Sequence, residues 1–294
     1  MSTRTRALIA IIIAGLLGGV SPIFSKIALT EFTPFQIVFI RFLLAFFILF
    51  PIALFTGKLS FDKKDFPYLL CISLLFAGNV LFFVVGLQYT TSIISQLFYL
   101  LTPALVIIFS FIFLRHNIEK RHLLSIGVGF AGGLLLIVRS GSTLLVQSLG
   151  NTKGNILILM AVCCWALYVT LSKKLSQKYT PLSLVVVVNG VTALLAFLLL
   201  SFRNQNIVVS LSRAHPIPLV NLICLVVLNS ILFFFLYQWA IKLVKPFSVS
   251  LSSYLGVLAS ALLAVPLFGE KITLQLAVSG LLIGISSYLT FKKR

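Results

Sequence analysis

Apolar residues run through this chain in long, unbroken stretches, separated by short segments where charges, prolines and small polar residues collect. The stretches do not alternate at period two, which excludes the strands of a membrane β-barrel. About twenty apolar residues carry a helix across a hydrocarbon layer of roughly 30 Å, and the pattern predicts ten such spans: 7–28, 34–56, 66–88, 90–114, 122–138, 154–172, 181–201, 218–241, 246–268 and 273–291. The breaks at Tyr89-Thr90, at Lys245-Pro246 and from Gly269 to Ile272 are so short that the spans flanking each must lie antiparallel. The expected fold class is an all-α membrane protein with ten transmembrane helices.

The two halves of this pattern match. Ser25-Lys26 and Thr33-Pro34 return 147 positions later as Ser172-Lys173 and Thr180-Pro181. Asn79, Phe82 and Gln88 return as Asn229, Leu232 and Gln238, displaced by 150, and the segment from Leu114 to Ile118 returns as Phe268 to Ile272, displaced by 154. A slowly growing offset is what small loop insertions produce in a duplicated chain. The expected organisation is a first five-helix repeat over 1–150 and a second over 151–294. Five is odd, so the second repeat would enter the membrane inverted, the architecture of alternating-access transporters.

Composition closes off the soluble alternatives. Sixty per cent of the 294 residues are hydrophobic and only 10% are charged, with a mean hydropathy of +1.15, so water could not solvate the surface of a globule made from this chain. The formal charge of +18 would elsewhere suggest nucleic acid, but the longest basic run is Lys292-Lys293-Arg294 and no basic patch is interleaved with aromatics. The basic residues instead report orientation. With the N-terminus inside, Lys26, Arg139, Lys153, Arg203, Arg213 and Lys271 fall on the outer side and Arg41 within a span, leaving sixteen of the 23 on the inner side. Both termini are therefore expected on the cytoplasmic face of a cell's inner (cytoplasmic) membrane, with the first apolar run, preceded by Arg4 and Arg6, kept as an uncleaved helix. Cys71, Cys163, Cys164 and Cys224 all lie in apolar runs without a CxxC pair, so neither a disulfide nor a metal site is implied, and no cofactor is expected.

The chain resembles the drug/metabolite transporter superfamily, in the branch built from two EamA-type five-helix repeats. The resemblance covers essentially the whole length. It rests on the 5+5 pattern, on Phe39-Ile40-Arg41-Phe42-Leu43-Leu44 in the second span, on Leu101-Thr102-Pro103 in the fourth and on Phe268-Gly269-Glu270-Lys271 after the ninth. Arg115-His116 stands where the family usually carries Gly-Glu, and Gly256-Val257 where Thr-Pro is expected. The resemblance implies export or exchange of small metabolites, amino acids or drugs.

Chemistry-bearing residues are few. Glu31, Asp62, Asp65, Glu119 and Glu270 sit in loops or at membrane edges, and His116, His122 and His215 lie at span ends or in loops. No span offers a buried proton acceptor, which favours facilitated diffusion or exchange over a proton antiport with an intramembrane carboxylate, with Glu31 or Glu270 at the outer edge as the alternative proton site. Arg41 is the one charge well within a span; it is either an anchor for an anionic group or a snorkelling, helix-pairing arginine satisfied by carbonyls and by Glu31. Asn79 and Asn229, repeat partners near the middles of their spans, are expected to line one central cavity, with interhelical hydrogen bonding as the competing role. Trp165, Tyr168, Tyr99 and Tyr254 place rings with polar tips near mid-membrane, suited to stacking on a partly apolar substrate or to ordinary packing.

Pro103 and Pro22 free the carbonyls of Tyr99 and Gly18 and are candidate gating kinks. Gly127, Gly129, Gly132 and Gly133 with Gly280 and Gly284 suggest a packing seam, or a homodimer seam, between the fifth and tenth spans.

A carrier explains the repeat, the kinks and the midplane polar residues together. A channel lacks a charged ring or filter motif, and an enzyme lacks an assembled acid, base and nucleophile. Amino acids or similar neutral metabolites are the first expected substrates, with multidrug or cation efflux as the alternative.

Overall fold

The computed structural model describes residues 2–57, 59, 61–90, 92–115, 119–138, 151–203, 207–268, 278, 281–283, 285–286 and 288–289. Among these the chain is helical throughout, without a strand. The helices are α1 (Thr3–Ala28), α2 (Pro34–Phe55), α3 (Phe66–Leu87), α4 (Ser92–Tyr99), α5 (Thr102–Leu114) and α6 (Lys120–Val138). In the second half follow α7 (Thr152–Lys178), α8 (Pro181–Phe202), a short α9 (Ile207–Arg213), α10 (Pro216–Leu243), α11 (Pro246–Ser250) and α12 (Ser252–Phe268). Helices α1, α2, α3, α7, α8 and α10 are each long and apolar enough to cross a membrane, six among the described residues. Their outer faces carry bare apolar side chains, with Phe55 92% and Phe202 84% exposed, a surface that lipid rather than water solvates. The protein is a multi-pass membrane protein.

The repeated sequence pairs do the same local jobs in each half. Thr33 and Thr180 cap α2 and α8: each side-chain oxygen accepts from the backbone N–H three residues on, of Gln36 and Ser183, and the following proline occupies the first helical position, where no N–H is needed. Lys26 reaches from the end of α1 to donate to the carbonyls of Leu87 and, at 2.8 Å, Thr90 beyond α3. Lys173, in α7, donates to Ile241, Lys242 and Val244 at the end of α10 at 2.7, 3.2 and 2.9 Å. A helix's last carbonyls have no partners within the helix, and an ammonium supplies both donors and a charge that complements the dipole.

The halves interlock. Helix α3 packs most extensively on α7, α2 on α8 and α1 on α12 and α10. Along α1, a Cβ on Gly19 would sit 2.3 Å from the Gly256 carbonyl oxygen and one on Gly15 2.6 Å from Leu255 Cβ, so both positions must lack a side chain for α1 and α12 to meet. Ser260 Oγ donates to the Gly19 carbonyl at 2.5 Å across the same contact. Gly256, where the resemblance leads one to expect threonine, faces the α1 backbone, and a Cβ there would meet Gly15 and Gly19 at ordinary contact distance, 3.4–3.6 Å.

Three spans differ in form from the sequence expectation. The stretch 90–114 is two helices, α4 and α5, with Pro103 in the first turn of α5, so the proline starts a helix instead of kinking one. The stretch 246–268 is likewise divided, at Leu251. Within α10, Leu225–Phe233 winds as a π-helix, a form that concentrates at functional sites. Pro22 sits inside a continuous α1. In the fifth-span seam, Ser125 of α6 and Ser286 each donate a hydroxyl to the other's backbone carbonyl at 2.7 Å, and a Cβ on Gly129 would strike the Tyr254 ring while one on Gly127 would meet nothing. Most of the stretch 273–291, with Gly280 and Gly284, lies outside the described residues, as do His116, Glu270, Lys271 and the terminal basic run.

Candidate functional site

Helices α1, α2, α3, α4, α7, α10 and α12 surround a cavity of about 100 Å³. Its apolar wall is aromatic: Phe83, Trp165, Phe233, Phe234 and Tyr237 line it. Trp165 is held by its neighbours, stacked on Tyr168 behind it with ring centroids 5.4 Å apart and on Phe233 beside it at 6.0 Å, and tilted against Tyr237 at 4.8 Å. Such ring pairs add attraction beyond the area they bury and fix the indole in one orientation.

The polar wall is built by side chains that each also tie two helices together. Asn79 Nδ2 donates to Tyr99 Oη at 2.6 Å and to the Ala161 carbonyl of α7 at 2.9 Å. That fixes the tyrosine and leaves its own O–H free to donate. Asn229, on the π-helical stretch of α10, donates to the Leu17 carbonyl of α1 at 2.7 Å. Pro22 removes the amide that Gly18 would have bonded, and the carbonyls on either side, of Leu17 and Gly19, take donors from Asn229 and Ser260. The proline thus sits in α1 where side chains of other helices bind the carbonyls that flank the freed one of Gly18.

Arg41, 3% exposed, lines the same cavity from α2. Its Nε donates to Ser230 Oγ at 2.6 Å, and its guanidinium lies over the rings of Phe42 and Phe234, 5.0 and 5.9 Å from their centroids. Glu31 does not reach it: that carboxylate is bound by His215, whose backbone N–H donates to Oε2 at 2.8 Å and whose ring contacts Oε1.

Of the residues singled out from sequence, Arg41, Asn79, Tyr99, Trp165, Asn229 and Pro22 come together at the cavity. Tyr168, Tyr254 and Pro103 are not among its lining residues. Tyr168 lies behind Trp165 with its hydroxyl 3.2 Å from Gln238 Oε1, and Tyr254 packs on α6 with its hydroxyl donating to the Ile126 carbonyl at 3.3 Å. Gln96, Ser21, Ser252 and Ser253 also line the cavity and were not picked out from sequence, although each is a polar residue inside an apolar run. Phe233, Phe234 and Tyr237 carry no such signal in a chain with 27 phenylalanines.

Comparison with known proteins gives a consistent result. The sequence matches the EamA-like transporter family twice, over residues 5–138 and 152–292. The uncharacterized transporter YyaM of Bacillus subtilis is 32% identical over 202 residues, 67% of this chain and 62% of that relative, so the match spans about three fifths of its length. An uncharacterized transporter of Archaeoglobus fulgidus is 28% identical over 301 residues, covering 100% of this chain and 99% of its own. A crystal structure at 16% identity superposes with a TM-score of 0.77 over 97% of this chain and 96% of that one, which shows a shared fold.

Proposed function

Because this chain belongs to the EamA-like transporter family and is a membrane transporter, we propose that it is a secondary carrier that exports or exchanges small metabolites, amino acids first among them. The observation that carries this reading is the cavity itself, walled by α1 to α4 from one half of the chain and by α7, α10 and α12 from the other. A site divided between two bodies opens to alternate sides when they rock against each other. Ten spans in two inverted five-helix repeats, 1–150 and 151–294, with both termini on the cytoplasmic side of the inner membrane, complete the proposal. The twin threonine caps and twin lysine caps at a spacing of 147 support the duplication.

In this mechanism Asn79, Tyr99, Trp165 and Asn229 contact solute directly, while Tyr168 and Tyr254 brace the walls. Gating is assigned to the Pro22 region of α1 and to the break before Pro103. The described acidic residues all lie outside α1, α2, α3, α7, α8 and α10, so transport runs by facilitated diffusion or exchange and uptake persists without a pH gradient. Counterflow in proteoliposomes tests the reading. A carrier accelerates uptake of labelled amino acid when the vesicles are preloaded with unlabelled amino acid. Uptake indifferent to preloading would establish a channel instead.

A further inference from the structure

We infer that the solute presents an anionic group, most simply a carboxylate, to Arg41, and that organic cations are excluded from the site. This rests on the carrier reading above and narrows its substrate class.

The argument starts from charge balance. Among the described residues, Arg41 is the sole charged one in the cavity wall. Every described acidic residue is engaged elsewhere, at the ends of the helices: Glu31 with His215, Asp62 and Asp65 with Lys178, and Glu119 with Arg121. A guanidinium carries five N–H donors in a fixed fork and stays charged. One of the five is used on Ser230, and the two neighbouring phenyl faces offer only weak compensation for a cation withdrawn from water. The fork matches a carboxylate bidentately.

The neighbours fit the same ligand. Tyr99, with its oxygen already accepting from Asn79, keeps its own proton as a second donor for an oxyanion. The Asn229 Oδ1 is buried without a partner and belongs to a residue lining the cavity, so it is an acceptor for an N–H or O–H on the solute. The aromatic wall takes an apolar or aromatic body. The chemistry that satisfies all of these is a small organic acid with a hydrogen-bond donor beside its carboxylate, whether the donor is an α-amino or an α-hydroxyl group. A lipophilic cation would meet Arg41 with like charge and no carboxylate to offset it.

The test compares four probes, phenylalanine, phenyllactate, phenylalaninamide and tetraphenylphosphonium, by counterflow in proteoliposomes and by thermal shift of the purified protein. In the wild type one or both acids show counterflow, and which of them does so identifies the donor as amine or hydroxyl. Arg41→Gln lowers the ratio of acid to amide transport about thirtyfold, the loss expected when one member of a desolvated charge pair is removed, and Arg41→Lys recovers part of it. Because a ratio is read, a general loss of folded protein cannot imitate the result. Ser230→Ala, which leaves the charge in place, moves the ratio severalfold in the same direction. Counterflow of tetraphenylphosphonium or the amide without either acid, or an Arg41→Gln ratio equal to wild type, overturns the inference and leaves the carrier intact. Absence of counterflow with every probe overturns the carrier reading and this inference with it.

Discussion

Glu31 and His215, 184 residues apart, bind each other at one end of the helix bundle through both a backbone N–H and the imidazole ring. At the other end Lys178 binds Asp65 at 2.5 Å and Asp62 at 3.1 Å, with Tyr179 Oη donating to the same Asp65 oxygen at 2.5 Å. Lys178 stands 147 positions after Glu31, and His215 stands 150 after Asp65. These are the offsets that relate the two halves of the sequence, so the contacts occupy corresponding places with acid and base exchanged. The 22 residues of α2, about 33 Å of helix, separate them.

Two such contacts at opposite ends of one cavity are suited to alternate. With the native cysteines replaced and a single reporter cysteine placed at Ser21 in the cavity wall, Glu31→Ala is expected to speed labelling by an impermeant reagent applied from the Glu31 end. Lys178→Ala is expected to speed it from the opposite end. If both variants open the same side, the contacts do not govern access.

The Glu31 contact also carries a pH signature. Loss of surrounding water pushes the carboxyl up, but the backbone N–H, ring and charge of His215 outweigh that and hold it below the usual glutamate range. A depressed folded value means that the contact is fully present above the unperturbed value, about 4.3, and is lost as pH falls through the folded one. Labelling at Ser21 from that end should therefore stay flat from neutral pH down to about 5 and rise only in stronger acid. A rise that begins near neutrality would assign the response to a different group.

At the α1–α12 crossing, Gly19→Ala places a methyl 2.3 Å from a backbone oxygen that cannot move alone. We expect a loss of about 1–3 kcal/mol, read as a lower thermal midpoint in detergent. Gly127→Ala, with open space around it, should leave the midpoint unchanged. Equal midpoints for the two variants would mean that the helices do not meet as closely as described.

Lys173→Met keeps the apolar stem but strips the donor from three carbonyls at the end of α10. For this half-buried group the cost is about 1–2 kcal/mol. Lys26→Met should behave alike at the end of α3, whereas Lys174→Met, which loses a contact with the Tyr68 ring and an attraction to Asp65 but no carbonyl cap, should cost less. Thermal unfolding of the three variants ranks them, and a costlier Lys174 change would refute the capping role.

Trp165→Ala removes the cavity's stacking surface and should raise the apparent KM for an aromatic solute severalfold, an aromatic contact being worth about 1 kcal/mol. Asn229→Leu should lower transport and stability together, because its amide both lines the cavity and bridges to α1. Cys71→Ala, on the exposed side of α3, should leave uptake unchanged. Transport indifferent to all three changes would move the solute path elsewhere.

Depth was legible in the sequence, and direction was not. Asn79, Asn229 and Trp165 stand near the middles of apolar runs, and a position along a run translates directly into a depth in the membrane. Which way a residue faces has no such signal, because lipid-facing and protein-facing sides of a buried helix are equally apolar. Trp165 and Tyr168, three residues apart on α7, therefore look alike in the sequence, yet one lines the cavity and the other stands behind it. The position of Tyr254 along its run predicts a cavity residue, but Gly129 on α6 leaves room for its ring on another side. The division of the fourth span was signalled by Pro103. The division at Leu251 and the π winding of α10 have no proline or glycine within them to mark them.

The π-helical stretch Leu225–Phe233 has a bearing on how this chain tolerates changes in length. A turn closed by i→i+5 hydrogen bonds holds about one residue more than an α turn, while one residue removed from an ordinary α-helix swings everything beyond it by about 100° around the axis. A single-residue deletion inside this stretch would be absorbed as one turn rewinding to α, so that Phe234 and Tyr237 keep facing the cavity. The same deletion in the regular α3 would turn the far half of that helix, Phe83 included, away from its neighbours. The irregular winding makes α10 a helix on which a residue can be lost without disturbing the face below.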